Sequence, residues 1–206
     1  MSLPNQFQEN IVSTFKLHTL DSAPAGSLPI LETASKTLGF IPNLYAHLAS
    51  SPAALQGYKQ LGALLEQSGL TPEEQQVVLL TVSAENGCEY CVAAHSFLAR
   101  NMVKVAGGKI SALRNGQPTS DAKLNALVAF TQAVVRDRGW VAGSQELKDF
   151  FAAGYMQQHA LDVILGVAMK TLSNYTNHLT DTPLDAAFAG EAWQAPDEHA
   201  CCITAA

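Results

Sequence analysis

The sequence predicts an all-α fold, a compact multi-helix bundle of eight to ten helices. Three observations carry this. Apolar residues recur three and four positions apart along most of the chain. Helix punctuation, with Ser/Thr-Pro starts and Gly or Asn-Gly stops, cuts it into short segments. No pair of alternating segments is joined by hairpin chemistry.

Residues 1–26 read as an N-terminal arm, in which Phe15, Leu17 and Leu20 alternate with polar neighbours and Pro24 and Gly26 close the segment. From Leu28 to Leu38 the apolar residues fall at helical spacing, stopped by Gly39. Pro42 opens a second helix carrying Leu44, Tyr45 and Leu48, and Ser51-Pro52 opens a third running to about Gln67. Thr71-Pro72 starts a fourth, with Thr71 as N-cap and Glu74 placed to complete a capping box. Its segment Val77–Val82 is apolar nearly all round, which predicts burial on every side.

After an Asn86-Gly87 break comes an Ala-rich helix, then a short one with Ile110 and Leu113 between Gly107-Gly108 and Asn115-Gly116. Ser120 is placed to cap the next helix, from Leu124 to Val135, and Ser144 one through Phe150-Phe151 that Gly154 stops. A long helix then runs from about Gln157 to His178. The chain divides as arm 1–26, a single helical domain 27–190 and a loose tail 191–206 that contains Cys201-Cys202. Trp140 and the Phe150-Phe151 pair are expected in the core or an interface.

With 206 residues, 48% of them hydrophobic and 15% charged, the chain is well suited to a buried core and unlike a disordered one. A formal net charge of −6 with no basic stripe argues against a nucleic-acid partner. No apolar run reaches the roughly 20 residues of a membrane span, and the opening residues lack a secretory pattern, so the expected location is cytoplasmic with no membrane partner. The cysteines are Cys88, Cys91 and the adjacent tail pair, a distribution unlike a disulfide-stapled secreted domain.

The chemistry concentrates in Asn86-Gly87-Cys88-Glu89-Tyr90-Cys91-Val92-Ala93-Ala94-His95. A helix starting near Cys88 puts that residue at the positive end of the helix dipole and sets Cys91 and His95 one turn apart on one face. Residues three apart on a helix have Cβ atoms about 5–6 Å apart, against the 3.5–4.5 Å of a disulfide, so a small adjustment in the first turn opens or closes a bridge. The helix terminus favours a thiolate, and an imidazole nearby can share its proton. A Cys-x-x-Cys of this kind can cycle between dithiol and disulfide. A structural zinc site would need two more ligands, and thioredoxin-type chemistry on its usual fold would need flanking strands.

This stretch resembles the alkylhydroperoxidase D-like proteins of the carboxymuconolactone decarboxylase family, which carry Asn-Gly-Cys-x-Tyr-Cys-x-x-x-His. The resemblance extends to Leu70-Thr71-Pro72-Glu73, to Gly39-Phe40-Ile41-Pro42-Asn43-Leu44 and to Asn177-His178-Leu179-Thr180-Asp181-Thr182-Pro183-Leu184-Asp185, and points to the peroxidase-related branch. It implies a cofactorless thiol peroxidase and a homo-oligomer, with a hydroperoxide substrate and a dithiol electron donor. It implies Cys91 as the attacking sulfur, Cys88 as the resolving one and His95 in the proton relay. A glutamate twelve residues before the first cysteine completes that relay in the family. Here the position is Gln76, an amide that cannot take a proton.

Glu85, three residues before Cys88, is the candidate replacement, ahead of Glu74; Glu85 also reads as a solvated helix-terminal carboxylate. Glu89 suits the first turn of its helix. Tyr90 can either lend its hydroxyl to the site or pack, and His178 reads as an imidazole at a helix C-terminus. Because of Gln76, a dithiol–disulfide oxidoreductase or redox-responsive protein with weak peroxidase activity is the alternative function.

Overall fold

The computed structural model of the protein describes residues 15–196. Among these the chain forms nine α-helices, a π-helical turn and a closing 3-10 helix, with no strand. The helices are α1 (Leu28–Leu38), α2 (Asn43–Leu48), α3 (Pro52–Glu66), α4 (Pro72–Glu85), α5 (Glu89–Leu98), α6 (Gly107–Arg114), α7 (Ala122–Arg136), α8 (Gln145–Ala152) and α9 (Gln157–Thr180).

Local sequence explains most of their ends. Gly39 ends α1 in the left-handed conformation, at φ 81°. Ser51 caps α3 by accepting from the Ala54 amide, and Ser144 caps α8 through Leu147. Thr71 and Glu74 form the expected capping box on α4. At α7 the cap is Asp121, one residue beyond Ser120, because its carboxylate accepts from both Lys123 and Leu124 amides while Thr119 engages Asn125. The π-helical turn Ala99–Val103, which extends α5, carries no sequence signal we recognise.

Helix α4 is the spine. It packs on α5, α6, α7 and α9, which is why its apolar residues point in every direction. Val77, Val78, Leu80 and Val82 join a core completed by α7, α8 and Val163 of α9. Leu79 joins a second core built from α1, α2, α3, α5 and Met169 of α9, and this one contains Cys88 and Cys91.

Trp140, expected in the core or an interface, is 89% exposed within this chain, since it falls in the turn after α7 where no helix covers it; Phe150 is fully buried, Phe151 only partly. The residues just after 190, expected to be loose, are tied down as far as the structure describes them. The 3-10 helix Ala186–Glu191 ends on Glu191, whose carboxylate pairs with Arg100 and Arg114, and the Ala195 amide donates to Glu89 Oε1 at 3.1 Å. Cys201, Cys202 and His199 lie outside the described residues.

Helices α4 and α9 pack tightly at Gly166, where a methyl group would lie 2.7 Å from Val78 Cγ1. Gly166→Ala should therefore lose about 1–3 kcal/mol through overpacking, even though the same change in an uncrowded helix gains up to about 1 kcal/mol. A urea titration checks this: the midpoint should drop, and a rise would show that α9 can move away from α4 at no cost.

Candidate active site

The corner between α4 and α5 positions the sulfurs. Gly87 adopts φ 63°, its amide donates to Ala84 O, and the Cys88 amide donates to Ser83 O at 2.9 Å. This is the paired hydrogen-bond pattern of a helix ended by a left-handed glycine. Cys88 is thereby both the last residue held by α4 and the N-cap of α5, its carbonyl accepting from the Val92 amide at 3.0 Å. Asn86 Nδ2 donates to Asn174 Oδ1 at 2.9 Å, which fixes the corner to α9.

Cys88 and Cys91 are both reduced and both buried, at 1% and 2% exposure. The sequence-predicted dithiol is thus brought together on the first turn of α5. Asn177 Nδ2 donates to both sulfurs, at 3.1 Å to Cys91 and 3.6 Å to Cys88, and Ser173 Oγ lies 3.9 Å from Cys91 Sγ. Above all, the hydrogen bond from the Cys91 thiol lowers the Cys88 pKa to about 6 against the resistance of burial, with help from the Lys170 charge and Asn177. Burial and that same hydrogen bond push Cys91 well up. The two shifts are opposed, Cys88 down and Cys91 up, so a negative charge on the pair is favoured on Cys88.

His95 is buried one turn beyond Cys91. Its Nδ1 lies 3.1 Å from Gln76 Oε1, and an amide oxygen can only accept, so Nδ1 carries the proton and Nε2 is left as an acceptor. Burial, and then the Lys170 charge, hold the ring well below its usual pKa, which keeps it neutral. His95 lines a cavity of about 320 Å³ with Leu44, Tyr58, Tyr90, Ala94 and Phe188, a mostly apolar space whose lining includes neither sulfur. Burial first, then Tyr45 and the two sulfurs, push the Tyr58 phenol up, so it stays protonated.

Other predicted residues are engaged elsewhere. Glu85 Oε1 accepts from Gln132 Nε2 of α7 at 2.7 Å, and no hydrogen bond between it and a thiol is found. Glu74 is held by Thr71, Tyr155 and Lys123. Tyr90 gives its hydroxyl proton to Asp185, whose carboxylate also accepts the Asn43 amide at the start of α2. His178 is exposed near the end of α9.

What the sequence reading missed is the wall that α9 presents: Lys170, Ser173, Asn174 and Asn177 are all buried. Their spacing of three, four and seven marks one face of a helix. Polar residues at that period inside a long helix were the available signal, and the apolar periodicity of the same helix hid it.

Comparison with known proteins fits this geometry. Residues 52–133, from α3 through most of α7 and including both cysteines and His95, match the family model described as carboxymuconolactone decarboxylase. Those residues are similar to the carboxymuconolactone decarboxylase family. The likeness in fold to solved structures extends over most of the chain. A peroxidase-related protein from Ralstonia eutropha JMP134, described as an alkylhydroperoxidase AhpD core, superposes with a TM-score of 0.76 at 21% identity, over 87% of this chain and 95% of its own. A peroxidase-related protein from Silicibacter sp. TM1040 gives 0.73 at 18% identity, over 89% and 98%. The debrominase Bmp8, as a cysteine-to-alanine variant in complex with 2,3,4-tribromopyrrole, gives 0.72 at 18% identity, over 89% and 96%. No curated protein sequence matches the chain.

Two buried imidazoles make the stability of the protein depend on pH. Burial lowers the pKa of both His95 and His47 in the folded chain below the ordinary 6.5. The unfolded chain then binds more protons, so this contribution is complete above pH 6.5 and is lost below it, at up to about 1.4 kcal/mol per pH unit for each ring. The urea midpoint should fall between about pH 7 and pH 5, and His95→Gln should flatten that fall. A midpoint indifferent to acid would show that both rings charge freely in the folded state.

Proposed function

We propose that the protein is a cofactor-free thiol peroxidase that reduces hydrogen peroxide or small organic hydroperoxides through a Cys88–Cys91 dithiol/disulfide cycle. The observation that carries this is the pair itself: two reduced sulfurs at the head of α5, hydrogen-bonded to each other, with one held as thiolate near neutral pH. The match of residues 52–133 to the family model and the likeness in fold to peroxidase-related proteins support it.

In the cycle Cys88 is the local base. The Cys91 proton passes along the existing hydrogen bond to Cys88, and Cys91, the more basic and hence more nucleophilic sulfur once ionised, attacks the terminal peroxide oxygen. An S–O bond forms and the O–O bond breaks. The departing alkoxide takes the proton now on Cys88 and leaves as the alcohol. Cys88, again a thiolate, attacks the sulfenic sulfur of Cys91; the S–S bond forms, and hydroxide leaves and gains a solvent proton. The dithiol has lost two electrons and the peroxide has gained them. A donor dithiol restores the pair by attacking Cys91 and expelling Cys88, the better leaving group.

His95 serves this cycle as a neutral acceptor. With Nδ1–H held by Gln76, its Nε2 accepts the hydroperoxide O–H and orients the peroxide at the edge of the apolar cavity. The cycle gives Glu85 no part. Leu161, Ile164, Tyr175 and Leu179, exposed along one face of α9, support a homo-oligomer. Gln76 also favours a second reading, a dithiol–disulfide oxidoreductase, because thiol exchange has less need of a relay carboxylate.

Replacing either sulfur tests the cycle. Cys91→Ser should reduce peroxide consumption by at least about a hundredfold, whereas Cys88→Ser should leave a sulfenic acid on Cys91 that a dimedone probe captures. Undiminished turnover by Cys91→Ser contradicts the reading. Rates with a hydroperoxide and with a model disulfide separate the two functions, the first reading requiring the hydroperoxide to be the faster substrate.

A further inference from the structure

Lys170 is the most deeply buried charged side chain among the described residues, at 0% exposure. It comes from the middle of α9, on the face that also carries Ser173 and Asn177. Its ammonium has no hydrogen-bonding oxygen, and among the described residues no carboxylate lies within ion-pair distance of it. A buried ammonium is costly unless a counter-charge faces it. The groups that feel its charge are Cys88, Cys91 and His95 of α5.

The buried carboxylate on the Tyr90 side, Asp185, is engaged by the Tyr90 hydroxyl and the Asn43 amide. Tyr58 of α3 lies near the sulfurs as a neutral phenol. Helix α4 contributes the amides Gln76 and Asn86, of which Gln76 is bonded to His95 and Asn86 to Asn174. His95 is neutral, and its partner cannot accept a proton. A base relay of imidazole and carboxylate is therefore missing from the side of the site where the family resemblance places it.

We infer that Lys170 is the fixed counter-charge of the dithiol, activating it electrostatically where a histidine–carboxylate relay would otherwise do so by proton transfer. Its charge lowers the energy of the anion whichever sulfur carries it. Charge balance explains the burial: thiolate and ammonium are each costly alone, and together they form a neutral pair roofed by Asn177. Lys170 is thus a positioning residue for charge, acting through the sulfurs. The inference deepens the peroxidase reading but requires only that the sulfurs be reactive.

The test is the pH profile of iodoacetamide alkylation at Cys88 and Cys91, read by mass spectrometry on the full chain. In the unaltered protein the reactive thiol should titrate with a midpoint near 6. Lys170→Met should move the midpoint up by at least about one unit, a tenfold loss of thiolate and of alkylation rate at neutral pH, while the rate at alkaline pH is kept. Lys170→Arg, which preserves the charge, should stay within about twofold of the unaltered protein. A Lys170→Met profile superimposable on the unaltered one overturns the proposal. If that variant does not fold, the unaltered protein decides: thiol absorbance at ultraviolet wavelengths titrating near the ordinary 9.0 overturns it, and a low midpoint retained by Lys170→Arg upholds it. Alkylation involves no peroxide, so failure of the peroxidase reading leaves this result standing, and the reverse holds equally.

Discussion

A glycine in the left-handed conformation fixes where the chemistry can happen. Gly87 lets α4 end and α5 begin within two residues, so Cys88 is hydrogen-bonded to the end of one helix while capping the other. Its sulfur, and that of Cys91 one turn on, are set by backbone geometry before any side chain packs. A β-carbon at Gly87 would oppose this conformation. Every property of the site, from the shared proton to the reach of Asn177, depends on that corner holding its shape.

The corner alone would give an exposed, ordinary dithiol. Packing of α9 across the head of α5 changes its character, because it removes water from the sulfurs and replaces it with an amide, a hydroxyl and an ammonium at fixed positions. Desolvation by itself favours neutral thiols. The hydrogen bond from Cys91 above all, helped by the Lys170 charge and Asn177, reverses that preference at Cys88, while burial leaves it in force at Cys91. The same burial keeps His95 neutral, so the site has a hydrogen-bond acceptor where a solvated histidine would titrate. Dense packing of α4 against α9 at Gly166 holds this wall in register with the sulfurs.

Local chemistry was legible in the sequence, and cross-chain chemistry was not. Caps such as Thr71, Ser51 and Ser144 act within four residues and were read directly, as was the Asn86-Gly87 break. The all-round apolar character of α4 gave its central position. Cys88, Cys91 and His95 could be placed on one helix because their spacing is a helical one. Lys170, Ser173 and Asn177 could not, since they sit some eighty residues away and nothing in their own neighbourhood says which face of α9 meets the thiols. Glu85 illustrates the converse: near the cysteines in sequence, its carboxylate is bonded to Gln132 on a helix packed on another side of α4. Proximity along the chain located the carboxylate and not its partner.

The central claim is that Cys88 and Cys91 work as one two-electron unit. It is tested most directly by adding one equivalent of hydroperoxide to the fully reduced protein and analysing the intact chain and its Cys88–Cys91 peptide by mass spectrometry. The account predicts the loss of two hydrogen atoms, confined to that peptide and reversed by a dithiol. Retention of both thiols, or stepwise oxygen addition to a single cysteine without a bridge, would contradict it.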